Sequence, residues 1–302
     1  MAEEVKRSGF KSGFISIIGR PNVGKSTLLN LLLGEKIAIV SDKPQTTRNR
    51  ILGIKNHPAG QIIFLDTPGI HRAQSRLNQS MVKVALATYS EVDGVCFVVE
   101  ADRSDNDEND FILETLTKIE KPVLLVINKI DLVPKGNLLP IMERYSRLRS
   151  FEQIIPISAL LGDGVETFVD ELLKILPEGP RLFPEDMITD LPERFLVAEL
   201  IREKVFQLTR EEIPYATAVM VEEFKEREEK NLIVIRATIQ VERESQKGIV
   251  IGDKGRRLKE IGRLAREEIE DLLGARVFLE LWVKVEKGWR EDPRALRRLG
   301  YS

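Results

Sequence analysis

The octapeptide Gly19-Arg20-Pro21-Asn22-Val23-Gly24-Lys25-Ser26 constrains this chain more than any other stretch. It has the spacing G-x-x-x-x-G-K-S, which is that of a phosphate-binding loop. An apolar run of strand character, 14–18, precedes it, and a leucine-rich run of helix character, 26–33, follows it and stops at Gly34. The setting predicts a strand that ends in a tight turn and delivers the chain to a helix N-terminus. Gly19 and Gly24 free the backbone to turn its N–H groups onto phosphate oxygens, and the positive end of the helix dipole reinforces them. Lys25 is placed to reach the β- and γ-phosphates and the Ser26 hydroxyl to hold Mg²⁺, with Thr27 in the same first helical turn.

The pattern around this loop extends the prediction to a whole domain. Strand-like runs fall at 14–18, 50–55, 62–66, 95–99, 123–128 and 154–157, and helix-like runs at 25–33, 77–89, 107–119, 138–149 and 165–175. Such βα alternation predicts an α/β fold, a six-stranded, mostly parallel sheet with helices on both faces. The short connection 56–60 makes the second and third strands an antiparallel hairpin. Ligands in these sheets bind at the carboxyl ends of the strands, so the residues just after each strand are the candidates. After the third strand comes Asp66-Thr67-Pro68-Gly69, where the carboxylate suits the Mg²⁺ shell and the Gly69 N–H a γ-phosphate. After the fifth comes Asn128-Lys129-Ile130-Asp131. The Asp131 carboxylate can accept both the N1–H and the 2-amino group of guanine, a donor pair that adenine lacks, which selects GTP over ATP. Asn128 can tie this loop back to the phosphate loop, and the Lys129 stem can lie on the base. After the sixth strand, Ser158-Ala159-Leu160 offers backbone N–H groups to the guanine O6.

Composition sets the outer bounds. A chain of 302 residues predicts two domains. Net charge is −2, so any nucleic-acid site must be a local patch. The one cysteine, Cys96, sits in an apolar run and excludes a disulfide within the chain. The charged N-terminal stretch has no signal-peptide core and no run is long enough to span a membrane, so a cytoplasmic protein is expected. Pro177, Pro180, Pro184 and Pro192 stiffen a short stretch and mark the boundary: a nucleotide-binding domain at 1–178, a Pro-rich linker at 179–192 and a second domain at 193–302. Asp190 and Glu193 have capping-box spacing for the helix that follows.

In the second half, Val197, Leu200, Ile201, Val205 and Leu208 recur at helical spacing; a strand at 216–221, a charged turn at 226–230 and an alternating strand through Ile233, Ile235, Ala237, Ile239 and Val241 follow. A second helix buries Leu258, Ile261, Ala265, Ile269 and Leu272, and a last strand alternates from Val277 to Val285. Between them lies Gly252-Asp253-Lys254-Gly255-Arg256-Arg257. Its two glycines let the backbone approach a sugar–phosphate chain, and its cations supply charge beside it. Ile249, Val250 and Ile251 form an apolar strip expected to face unstacked bases. The basic segment 284–298, with Trp289 expected at the surface, places Arg294, Arg297 and Arg298 against RNA backbone or ribosomal surface, or simply in solvent.

The ordered motifs Gly19 to Ser26, Asp66 to Gly69, Asn128 to Asp131 and Ser158-Ala159 resemble those of translation-factor-class GTPases. The second half resembles a bacterial-type (type II) KH domain, and the combination resembles the Era family over nearly the whole chain. The resemblance implies a GTPase that cycles between GTP and GDP with Mg²⁺, with a first switch loop at 41–48. Thr47 aligns as its Mg²⁺-binding threonine, with Thr46 as the neighbouring candidate. Asn22, Lys25, Thr47 and Gly69 form the implied catalytic set. Ile70 stands where Ras-like enzymes carry a water-orienting glutamine, which implies slow intrinsic hydrolysis. Asn22 implies a K⁺ ion doing the work of an arginine finger; the plain reading is an asparagine that caps the loop. The implied RNA-binding set is Ile249, Ile251, Gly252, Asp253, Lys254, Gly255, Arg256 and Arg257. The implied partners are single-stranded RNA near the 3′ end of small-subunit (16S) ribosomal RNA and the 30S subunit under assembly. The implied protein is a monomer, with peripheral contact at the inner face of the cell membrane as a further implication. Two other readings stay open: a GTPase acting on tRNA or at the membrane, with the KH fold as a docking module, and a metabolic NTPase.

Overall fold

The computed structural model describes residues 9–41, 43, 46–69, 77, 81, 91–103, 106–117, 119–227 and 231–301. They divide into two compact units, one made of the described residues up to 38, from 47 to 69, at 81 and from 91 to 190, the other of those at 39–46, 77 and 191–301. The described residues among 39–46, which the sequence assigns to the nucleotide-binding half, thus pack with the second unit.

The first unit is a six-stranded sheet: β1 Lys11–Gly19, β2 Ile51–His57, β3 Gly60–Asp66, β4 Gly94–Glu100, β5 Val123–Asn128 and β6 Gln153–Pro156. The order is β2-β3-β1-β4-β5-β6; β2 and β3 form the antiparallel hairpin and the other pairs are parallel. Every residue of β3, β4 and β5 is buried, as continuous apolar runs sandwiched by helices must be. The helices are α1 Lys25–Leu33, α2 Asp107–Leu116, α3 Leu138–Leu148 and α4 Val165–Ile175. The helix expected at 77–89 lies outside the described residues except for Leu77 and Met81, both buried. The parallel register aligns Ile17 with Asp66, Gly19 with Val98, Glu100 with Asn128 and Ile127 with Pro156. One edge therefore gathers the ends of β1, β3, β4, β5 and β6. Cys96 is wholly buried, and burial pushes its thiol far up.

The proline-rich stretch is a strap, not a free spacer. Gln61, fully buried, accepts the N–H groups of Leu182 and Phe183 at 2.8 and 2.9 Å and donates to Phe183 O at 2.9 Å. Ile54 N–H donates to Ile188 O and the Thr189 hydroxyl to Leu52 O, so the segment runs along the hairpin through Thr189.

The second unit contains α5 Glu193–Leu208, β7 Ala218–Arg227, β8 Leu232–Val241, α6 Glu244–Ile251, α7 Arg256–Leu273, β9 Arg276–Val285 and α8 Pro293–Arg298. β7 pairs antiparallel with β8, with a bulge between Val221 and Glu223, and β8 pairs parallel with β9. The core joins Val197, Ile201 and Val205 of α5, Ile235, Ala237 and Ile239 of β8, and Ile261, Ala265 and Ile269 of α7. The expected cap on α5 does not form. Pro192 occupies that position with φ −61° and ψ 142°, and Asp190 lies two residues too far upstream. Trp289, expected at the surface, is fully buried.

Candidate functional sites

The phosphate loop owes its shape to close backbone approaches. Gly24 has φ 97°, and a Cβ there would come within 2.2 Å of the Asn128 side-chain nitrogen. A Cβ on Gly69 would come within 2.6 Å of the Pro21 nitrogen. Both positions are therefore closed to larger residues, and each brings a loop from another strand end against the first. Asn22 adopts a left-handed conformation, φ 66°, which asparagine tolerates better than most residues.

Lys25, almost fully buried, donates through Nζ to the carbonyls of Gly19 at 3.1 Å and Arg20 at 2.8 Å. Burial lowers its pKa to about 8, with nearby Asp66 opposing the shift. Asp66 has no exposed surface, and burial raises its pKa to about 6 against the pull of Lys25 and the Ser26 hydroxyl. Ser26 Oγ donates to Asp66 Oδ2 at 2.8 Å and lies 2.9 Å from Thr47 Oγ1. Three oxygen side chains thus converge. The buried Asp66 Oδ1 has no partner among the described residues. A hard, all-oxygen donor set with an orphaned carboxylate oxygen fits Mg²⁺. Thr46, the other candidate, turns its hydroxyl to Lys43 O at 2.7 Å.

The base loop is braced against the phosphate loop. Asn128 Nδ2 donates to Val23 O at 2.8 Å, and its Oδ1 accepts the Ala159 N–H at 2.9 Å, which joins three loops through one side chain. Ser158 Oγ donates to Asp131 Oδ1 at 2.6 Å and so orients the carboxylate, whose residue is exposed. Lys129 Nζ donates to Asn22 O at 2.8 Å and pairs with Glu100. Glu100 also takes Arg20 Nη2 at 2.8 Å, while Arg20 Nε donates to Asn109 at 3.1 Å. Neither Glu100 nor Asn109 stands out in the sequence; their position beside the motif loops is set by β4 and α2. Ile70 lies outside the described residues.

In the second unit, Gly252-Asp253-Lys254-Gly255 links α6 to α7. Gly252 and Gly255 have φ 72° and 79°, and Lys254 itself is left-handed at φ 48°. The loop bows outward with Asp253 and Lys254 exposed, and the Arg257 guanidinium folds back to the carbonyl of Ile249. The expected apolar strip is not continuous. Residues 249–251 are the last turn of α6, where successive side chains diverge by a helical step, so Ile249 is exposed, Ile251 half-buried and Val250 in the core. The apolar surface lies elsewhere: a groove of about 640 Å³ between α7 and β9, lined by Leu258, Leu279 and Leu281 and edged by Gly255, Lys259 and Arg263. Leu279 and Leu281 belong to the alternating apolar positions of β9. They are half-buried because β9 is the edge strand and α7 leaves them uncovered.

The fold and these two sites define a class, a P-loop GTPase domain followed by a KH domain. A family model described as 50S ribosome-binding GTPase matches residues 14–129, and one described as KH domain matches 212–290. GTPase Era of Geobacter metallireducens is 59% identical over 293 residues, 97% of this chain and 98% of that protein. GTPase Era of Syntrophus aciditrophicus is 57% identical, again over 97% of this chain. Among solved structures, an Aquifex aeolicus Era variant bound to GDP and AlF4− matches with TM-score 0.94 and 47% identity, covering 97% of this chain and all of that one. Era in complex with MgGDPNP and nucleotides 1506-1542 of 16S ribosomal RNA matches with TM-score 0.94 and 48% identity, covering 97% of this chain and 99% of that one. The chain belongs to the Era family of GTPases.

Proposed function

We propose that the chain is a GTP-hydrolysing switch that binds single-stranded RNA near the 3′ end of small-subunit ribosomal RNA and serves assembly of the 30S subunit in the cytoplasm. The observation that carries this reading is the pairing of a guanine-type cradle, Asn128 and Asp131 held by Val23, Ala159 and Ser158, with a glycine-bounded basic loop beside an apolar groove. The relative solved with MgGDPNP and 16S ribosomal RNA supports the same assignment and favours the small subunit over the 50S of the broader family description. Among the described residues no helix is long and apolar enough to cross a membrane. In this reading residues 1–178 carry the nucleotide site and 193–302 the RNA site.

Each residue has a role in hydrolysis. The backbone N–H groups of 19–26 and the Lys25 ammonium take the phosphate charge, and Lys25, with its pKa near 8, is protonated at neutral pH. Ser26, Thr47 and Asp66 would hold Mg²⁺, which would supply charge neutralisation at the phosphates. The Gly69 N–H meets the γ-phosphate, and Asp131 and Asn128 fix the base. With Ile70 beside Gly69, no glutamine orients the attacking water, and intrinsic hydrolysis is slow. Asn22 contributes a K⁺ ligand: hydrolysis runs faster in K⁺ than in Na⁺, and Asn22→Ala abolishes the difference. Equal rates of the native protein in the two salts would remove K⁺ from the mechanism.

The deciding experiment measures binding of an oligonucleotide copying the 3′ end of small-subunit ribosomal RNA, with GDP and with a nonhydrolysable GTP analogue. Lys254→Asp is expected to abolish RNA binding and leave GTP binding intact. Unchanged RNA affinity in that variant would overturn the assignment and leave the KH fold as a docking module.

A further inference from the structure

The segment after β9 builds a feature that neither site uses. The KH match ends at residue 290, yet the chain goes on into α8 and a closing turn. Trp289 is wholly buried and donates its indole N–H to Ala216 O at 3.0 Å, and the Tyr301 ring packs on it at 5.9 Å. Ala295 and Leu296 are buried as well, and Asp292 caps the helix by accepting the Arg294 N–H at 2.9 Å. A merely solvated charged end has no use for a fully buried tryptophan and a capped helix. The anchor instead fixes what the opposite side presents. Arg294, Arg297 and Arg298 stand at i, i+3 and i+4 of one short helix, and all three are exposed.

The position of this face ties it to the RNA loop. Glu286 N–H donates to Val241 O at 2.8 Å and Arg290 pairs with Glu242, so the tail is stitched to the residues just before α6. Arg243 follows Glu242 directly and is exposed. The eight residues of α6 then run about 12 Å to Gly252-Asp253-Lys254-Gly255. Glu242 and Glu286 neutralise Arg290 and Arg298. Arg243, Lys287, Arg294 and Arg297 form no ion pair among the described residues, and the segment 284–298 carries six basic residues against the three acids Glu286, Glu291 and Asp292, in a chain of net charge −2, with Glu244 beside Arg243.

We propose that the C-terminal face formed by Arg294 and Arg297, with Lys287 and Arg243, is a second contact for the phosphate backbone of the RNA strand that the KH loop engages. It adds affinity without reading sequence, and it extends the bound strand past the N-terminal end of α6. The proposal rests on the RNA-binding reading above, and the test separates the two. Arg294→Gln with Arg297→Gln leaves the Arg298–Glu286 pair and the Trp289 anchor in place. RNA affinity of the full chain is measured against salt, for oligonucleotides of increasing length. Native protein and double variant should bind the shortest RNA equally and diverge as the strand lengthens. The slope of log K on log salt should fall by about 1.4 in magnitude for two phosphate contacts on a single strand. Unchanged tryptophan emission controls for folding, and GTP hydrolysis without RNA should not change. Equal slopes at every length, with Lys254→Asp still abolishing binding, would overturn the proposal and leave the KH reading standing. Failure of the native protein to bind RNA at all would overturn both.

Discussion

Replacing Glu100 by glutamine tests how the nucleotide site holds its shape. This carboxylate, 5% exposed at the end of β4, bridges two cations from different loops. Arg20 of the phosphate loop binds Oε2 at 2.8 Å, and Lys129 of the base loop binds Oε1. Lys129 also reaches Asn22 O at 2.8 Å, and Arg20 is held from behind by Asn109, which donates to the Tyr145 hydroxyl at 3.2 Å. Glutamine keeps the volume and one acceptor but turns an amide donor toward a cation. Removing one partner of a buried ion pair costs about 3–5 kcal/mol, while the Lys129 side chain, 31% exposed, recovers part of that in water. About 2 kcal/mol is left to appear as disorder of the base loop that nucleotide must reverse on binding. That corresponds to roughly 30-fold weaker GDP and GTP affinity. The loss should fall on release and hardly on association. Stopped-flow release of a fluorescent GDP analogue measures it directly. The rate at saturating GTP should stay within about twofold, since Glu100 contacts the side chains of Arg20 and Lys129, neither of which is an implied phosphate or metal ligand. A release rate equal to that of the native protein would show that Lys129 and the phosphate loop need no common brace, and the reasoning would fail.

Two other outcomes follow from the same site. Asp131→Asn presents an amide donor where guanine needs an acceptor, so GTP affinity should fall by at least 10²-fold while xanthosine nucleotides, which carry a carbonyl there, gain; a competition titration reads both. Asp66, with its pKa near 6, must ionise to hold Mg²⁺, so Mg²⁺-dependent nucleotide affinity should fall tenfold per pH unit below about 6, beyond the change seen in Asp66→Asn. For the free protein the sign reverses. The folded pKa lies above the ordinary carboxyl value of 3.8, so stability falls as pH rises from about 4 to 6, by on the order of 3 kcal/mol, and Asp66→Asn flattens that dependence in urea titrations.

What the sequence disclosed and what it withheld separate along one physical line. The phosphate loop, the base motif and the alternation of strands and helices are local devices, in which contiguous residues set backbone turns, periodicity and strand ends, so they are legible without partners. The Asp190 cap and the Ile249–Ile251 strip were also read locally and failed, because the helix starts two residues later than the capping pattern assumed and because three neighbours on a helix cannot share a face. Glu100 and Gln61 went unread, and Trp289 was misread, for a different reason. Each acts on a partner distant in sequence: Arg20 at 80 positions, Leu182 and Phe183 at 121 and 122, and Ala216 at 73. Trp289, set among arginines and lysines, carries every local mark of a surface residue.

Helix α5 shows the same limit most sharply. Its apolar positions Val197, Leu200, Ile201 and Val205 read as one buried stripe, which makes Glu199, Arg202, Glu203 and Lys204 the expected solvent face. All four are buried. Arg202 Nε binds Glu199 at 2.7 Å, and its guanidinium also reaches Thr46 O; Lys204 binds Glu203 at 2.8 Å and also Glu268. Glu203 accepts the Val40 N–H at 2.9 Å, 163 residues away in sequence. Lys43 places its ammonium at the carboxyl end of α5, on Phe206 O and, at 2.7 Å, on Thr209 O, where the helix dipole favours a cation. Residues 40 and 46 therefore meet two of the charges that a hydrophobic pattern assigns to water, Glu203 and Arg202, and residue 43 meets the helix end. A polar residue on a helix carries the same letter whether water or a distant segment is its partner, and periodicity weighs only the letter. The residues that complete α5 come from the stretch the motifs mark as a nucleotide switch, so the helix and the switch loop have to be read together.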